Sequence, residues 1–128
     1  MRALTIRQPW ASAIAHGTKR TENRTWNTTY TGPLLIHAGA RYAEHVISGT
    51  DGPGVRSAVL AVATLTGCHL ADGDCCGAWG QRNVYHWQLD GVRALPTPVS
   101  AKGRLGLWRP TDDILAAVQQ QLEEVSQR

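Results

Sequence analysis

The chain has 128 residues, 42% of them hydrophobic and 18% charged, a balance that argues against disorder and fits a single domain. No apolar run approaches the roughly 18 residues a membrane span needs, and the first residues enter a strand pattern without a signal-peptide core, so a cytoplasmic protein with no membrane partner is expected. The formal charge of +3 and pI near 9.0 are only mildly basic, which by itself selects no partner.

In chain order, Arg2–Arg7 alternates, with Leu4 and Ile6 on one side, and predicts a first strand. Pro9 suits a first helical turn, residues 10–16 are compatible with a helix, and Gly17 is a natural C-cap. Residues 19–26 return to an extended polar pattern, Asn27–Gly32 is rich in turn formers, and residues 33–38 make a short apolar strand. Arg41–Ser48 is compatible with a helix, and Gly49–Gly54 reads as a loop. Ser57–His69 is apolar on both alternating sets, as a strand covered on both faces would be. Asp72–Gly80 is a further loop, Val84–Leu95 a strand or a strand pair turning at Asp90-Gly91, and Lys102–Arg109 a last strand.

The tail differs in period. Thr111 suits an N-cap, Asp112 and Asp113 the first turn, and Leu115, Val118, Leu122 and Val125 one helical face. Two heptads are short for a coiled coil, so the helix is expected to pack on its own domain and the chain to be a monomer. The reading is α+β: a small β-barrel of about six strands with flanking helices over 1–110, and a C-terminal amphipathic helix over 111–128.

Charge is unevenly spread. Residues 1–41 hold Arg2, Arg7, Lys19, Arg20, Arg24 and Arg41 against Glu22 alone, and residues 77–109 hold Arg82, Arg93, Lys102, Arg104 and Arg109 against Asp90 alone. If these two blocks meet in the fold they form a surface suited to phosphates; if not, they are scattered solvated charges. Within the first block, Glu22, Arg24 and Trp26 share strand parity and project to one face. They offer a carboxylate acceptor, a bidentate cation and a stacking ring, which a base edge, a phosphate and a nucleobase plane require. Trp79, in the Gly77–Gly80 loop, is the other stacking candidate, while Trp10 and Trp108 read as packing residues. His37 closes an apolar strand and either points to the cleft or is a satisfied structural histidine. Lys102 and Arg104 share parity and either extend a phosphate surface or lie on a solvated edge.

Gln8-Pro9-Trp10, Gly17-x-Lys19, Glu22-Asn23-Arg24-x-Trp26 and Gly32-Pro33-Leu34-Leu35-Ile36-His37 occur in this order, followed by Trp87-Gln88-Leu89 and Lys102–Trp108. Over about residues 2–109 the chain closely resembles the ASCH family of the PUA-like superfamily. That resemblance implies a PUA-like barrel with a cleft lined by the Lys19–Trp26 segment, and binding of RNA or nucleic acid more generally. It also implies an alternative, because some relatives are hydrolases, acting on acetylated cytidine or on RNA. The acetylcytidine enzymes use a Lys-x-x-Thr arrangement, whereas the third residue after Lys19 is Glu22.

The expected ligand is therefore RNA, another single-stranded nucleic acid, or a nucleotide-like small molecule, held by Arg7, Lys19, Glu22, Arg24, Trp26, His37, Lys102 and Arg104. If the chain is an enzyme, it is a hydrolase with Lys19 and Glu22 as the working pair. Cys68-His69 and Cys75-Cys76 are adjacent pairs, whereas zinc ligands are usually spaced by two to four residues, so no metal and no cofactor is expected.

Overall fold

The computed structural model describes residues 1–42, 55–73 and 75–126. Its elements are β1 (Arg2–Gln8), α1 (Trp10–Ala15), β2 (Thr21–Arg24), β3 (Gly32–Tyr42), β4 (Ala58–Leu70), a single 3-10 turn (Gly77–Trp79), β5 (Tyr85–Ser100), β6 (Leu107–Trp108) and α2 (Asp112–Ser126). The strands form one sheet in the order β2-β5-β4-β3-β1-β6, with β1 parallel to β3 and the other pairs antiparallel. The sheet curls into a half-barrel with a helix on each side, the α+β barrel-type fold expected for the chain.

Both faces of the central strands are covered, which explains their lack of polar alternation. On one face Leu4, Ile6, Leu34, Ile36, Leu60 and Leu65 enclose Ala11 and Ile14 of α1. On the other, Leu35, Val59, Val62, Leu95 and Trp108 receive Val118 and Leu122 of α2. The turn from β1 into α1 is fixed by buried Gln8, whose Oε1 accepts from the Ser12 amide at 2.9 Å while its Nε2 donates to Ser12 Oγ. Arg20 serves the other end of α1, donating to the carbonyls of Ile14, Gly17 and Lys19. Thr111 caps α2 as expected, accepting from the Ile114 amide.

Three element expectations change. Arg41 and Tyr42 are the last residues of β3 rather than the start of a helix, and the rest of that predicted helix lies outside the described residues. The extended segment expected over 19–26 is a strand only over Thr21–Arg24, with Trp26 in the bend that follows. Of the two readings of Val84–Leu95 the single strand holds: β5 runs through Asp90-Gly91, with Gly91 at φ +55° and a register shift against β4 absorbing the irregularity. The last strand shrinks to Leu107–Trp108, because Lys102–Gly106 is held as a loop. Gly103 lies so close to β1 and β3 that a Cβ there would sit 3.0 Å from His37 Cε1 and Thr5 Oγ1.

His37 itself is fully buried beneath that loop, with Nε2 2.6 Å from the Ala101 carbonyl and its ring edge-on to Trp108. Its Nδ1 has no hydrogen-bond partner, and burial lowers its pKa, only partly opposed by the Ala101 contact. Folded His37 is thus neutral, while the unfolded chain takes up a proton near the ordinary value of 6.5. More protons are then bound in the unfolded state, so this contribution to stability is present above pH 6.5 and declines as pH falls below it. Urea unfolding between about pH 7.5 and about pH 5.5 should show that decline, and His37→Gln should flatten it; an unaltered slope in the variant would count against the assignment. On the opposite helix, Leu122→Ala should cost about 2 to 4 kcal/mol by emptying a buried site. Val125→Ala, at a position 45% exposed, should stay within about 0.5 kcal/mol in the same denaturation assay.

Candidate functional site

β2 lies at the sheet edge, with Glu22 opposite Trp87 and Arg24 opposite Tyr85 of β5. The strand's pleat turns Glu22 and Arg24 to one side, towards the interior of the curl. Glu22 is only 7% exposed, and a carboxylate so placed needs partners. Arg24 Nε and Nη2 donate to its Oε2 at 3.0 and 2.9 Å, and Lys19 Nζ lies 3.6 Å from its Oε1. Lys19 is also buried and donates to the Thr21 carbonyl. Burial lowers the Lys19 pKa, an effect opposed by the neighbouring Glu22 charge. Arg24 Nη2 donates further to the Thr5 carbonyl of β1 at 2.8 Å, joining two strands that are not neighbours in the sheet.

Around this charged floor stand three indoles. Trp10 and Trp26 are each 37% exposed, and Trp79 is half-buried. Trp10 and Trp79 meet edge-on with centroids 6.3 Å apart, and Lys19 Nζ lies 5.9 and 5.3 Å from their respective ring centroids. Trp26 packs edge-on against buried Trp87 at 4.5 Å, and its carbonyl accepts from Trp87 Nε1. Asn23 fixes the third wall: its Nδ2 donates to the Trp79 carbonyl and its Oδ1 accepts from the Gln81 amide. The cleft between the walls is open to solvent, measures about 580 Å³ and is also lined by Arg7 and Thr25, a size suited to a small planar ligand.

A second groove of about 520 Å³ adjoins the first, sharing Arg7 and Arg24 with it. Arg41, Lys102 and Arg104 add their charges, and no carboxylate is among its described lining residues. The two basic blocks of the sequence therefore do meet. Of the predicted site residues, Arg7, Lys19, Glu22, Arg24 and Trp26 line the cleft, while Lys102 and Arg104 line the groove from a loop rather than from a strand. His37 lines neither, being sealed in the interior. Trp10, read as a packing residue, is instead a cleft wall, because the helix it begins turns its ring outward beside Trp79. Trp108 is the packing residue expected. Sequence reasoning misses Arg41 as a site residue, because a helix over 41–48 gives no sign that Arg41 ends β3 beside Lys102.

The ASCH domain profile matches residues 4–105. Among characterised proteins, Activating signal cointegrator 1 of Homo sapiens is 47% identical over 38 residues, which are 30% of this chain and 6% of that protein. The chain thus spans a small fraction of the length of that relative. Two solved structures share the fold: the ASCH protein of Zymomonas mobilis, with TM-score 0.59 and 13% identity over 96% of this chain and 93% of that one, and a variant of it, with TM-score 0.61 and 12% identity over 93% and 96%. These are likenesses of fold, a PUA-like half-barrel, whereas the profile match runs through the cleft-forming segment and most of the sheet. This chain belongs to the ASCH domain family.

Proposed function

We propose that this chain is a nucleic-acid-binding domain, with single-stranded RNA as its ligand, taking a base into the tryptophan-walled cleft and the adjoining phosphates along the basic groove. The observation that carries this reading is the composition of the cleft: a buried carboxylate held by two cations beneath three partly exposed indoles, opening onto a groove of arginines and lysine. Indole faces stack on any base. Glu22 retains acceptor capacity beyond Arg24 and Lys19 for an exocyclic amino group. Arg24 is then better described as the group that orients Glu22 than as a phosphate contact. The phosphate role falls to Arg7, Arg41, Lys102 and Arg104, whose side chains line the groove.

A second reading has one observation in its favour. Lys19, with its pKa lowered by burial and a carboxylate beside it, is equipped to exchange a proton with a bound substrate. This supports a hydrolase of RNA or of a modified nucleoside. Thr21 is not available as its nucleophile, since its buried hydroxyl is directed at Gln88.

Fluorescence anisotropy with short labelled RNA should detect salt-sensitive binding, weakened in Trp26→Ala by about 5- to 150-fold, the equivalent of 1–3 kcal/mol of stacking, and less in Trp26→Tyr. Lys102→Ala and Arg104→Ala should each reduce the slope of log affinity against log salt by about 0.7 for every phosphate that the replaced side chain neutralised. Absence of binding at low salt across varied RNA and DNA oligomers would sink the first reading. For the second, product analysis after incubation with RNA and with acetylated cytidine should show turnover that rises with pH through a value below the ordinary lysine 10.5. Turnover undiminished in both Lys19→Ala and Glu22→Ala would remove those residues from the chemistry.

A further inference from the structure

On the β4–β5 hairpin and in the connection that also carries Trp79, the fold gathers four side chains that the sequence holds apart. His69 of β4 and His86 of β5 are direct cross-strand partners, with rings 5.3 Å apart. The connection between those strands folds back to place Cys75 and Cys76 over them. Cys75 Sγ lies 3.5 Å from His69 Nε2 and 3.3 Å from His86 Nδ1, and Cys76 Sγ lies 3.4 Å from His69 Nε2 and 3.2 Å from Cys75 Sγ. One donor atom from each residue falls within 4.8 Å of all the others.

We infer that His69, Cys75, Cys76 and His86 form a closed tetrahedral site for a zinc ion. Zinc with bonds of about 2.3 Å to sulfur and about 2.05 Å to nitrogen sets neighbouring ligands about 3.3 to 3.8 Å apart; the contacts of 3.2 to 3.5 Å already match this closely, and the widest donor separation, within 4.8 Å, has to close by about an ångström. Two thiolates and two imidazoles are a borderline-soft donor set suited to this ion. Binding releases the two thiol protons to solvent, and the resulting site is electrically neutral. Four protein ligands leave no open position, which makes the site structural rather than catalytic.

Four features of the cluster and its surroundings match what such a site requires. His86 Nε2 is 2.6 Å from the Gln81 carbonyl, so its N–H donates there and the Nδ1 lone pair faces the sulfurs. Gln88 Nε2 donates to Cys76 Sγ at 3.0 Å, a contact that suits a thiolate. Adjacent side chains normally diverge, but Cys76 adopts φ +72°, a left-handed conformation uncommon outside glycine, and this turns both sulfurs to one point. Gly80 completes the wrap, since a Cβ there would meet the Cys75 carbonyl at 2.7 Å and His86 Cε1 at 3.0 Å. The ion would pin the segment that presents Trp79 to the cleft, whatever the cleft binds.

The test is metal analysis of the full chain purified under reducing conditions without chelator, followed by cobalt(II) titration of protein stripped of metal. One zinc per chain is expected, and the cobalt form should show the intense visible bands of a tetrahedral site together with sulfur-to-cobalt charge transfer. Cys75→Ser, Cys76→Ser and His69→Ala should each weaken binding by about a hundredfold or more, beyond the effect of losing an outer-shell partner. Cys68→Ser, which removes the cysteine outside the cluster, should leave it unchanged. Circular dichroism checks that each variant is folded, and the exposed position of His69 makes its replacement the safest variant. Substoichiometric zinc with no tetrahedral cobalt spectrum overturns the proposal. So does binding that survives loss of Cys75 or His69, or a Cys75–Cys76 disulfide forming in place of metal uptake.

Discussion

A buried carboxylate sets the terms for this molecule. Glu22 sits almost out of solvent on the edge strand β2, where an uncompensated charge would be costly. Its compensation comes from Arg24 and Lys19, and both partners are tied into the backbone in turn. Arg24 reaches across the concave side of the sheet to the Thr5 carbonyl. The ladder otherwise connects β2 to β1 only through β5, β4 and β3. One guanidinium thus holds the curl of the half-barrel and orients the carboxylate at the floor of the cleft. Fold and site share an interaction, and a change at Glu22 or Arg24 acts on both.

The rest of the cleft is assembled from elements that this curl brings together. α1 supplies Trp10, the end of β2 leads to Trp26, and the β4–β5 connection supplies Trp79. Each wall is fastened separately: Trp26 to Trp87, Trp10 to Trp79, and the Trp79 segment to Asn23 and to His86 through Gln81. The walls are therefore anchored by rigid strands on both sides of an otherwise irregular connection. Preorganisation of this kind lowers the ordering cost of binding a planar ligand. Arg7 and Arg24 line both the cleft and the neighbouring groove, so the two form one continuous surface, which the proposed base and its flanking phosphates would share.

Much of this was legible in the sequence because it depends on local periodicity. The two-sided apolar run of β4, the amphipathic tail and the strand parity of Glu22 and Arg24 follow from the pleat and the helical repeat, and the structure keeps them, whereas Trp26 reaches the cleft from a bend beyond the end of β2. The Gln8-Pro9-Trp10 motif likewise has a local cause, since Gln8 caps the helix that Trp10 begins. Local pattern could not reveal which partners meet over long separations. Trp10 reads as core until Trp79 is seen beside it, and His37 reads as a cleft residue until Gly103 is seen to close over it. Arg41, Lys102 and Arg104 share a groove only because β3 and the loop before β6 lie on the same side of the sheet. The cysteine pairs Cys68-His69 and Cys75-Cys76 look poorly spaced for a metal because the fourth donor, His86, lies on the far strand of the hairpin. By itself the sequence determined most of the strands, the C-terminal helix and the pairing of charges along β2, all set within a few residues by side-chain alternation and capping. The tertiary structure alone decided which indoles and cations join that strand, because that depends on how a curled sheet brings distant edges within contact distance.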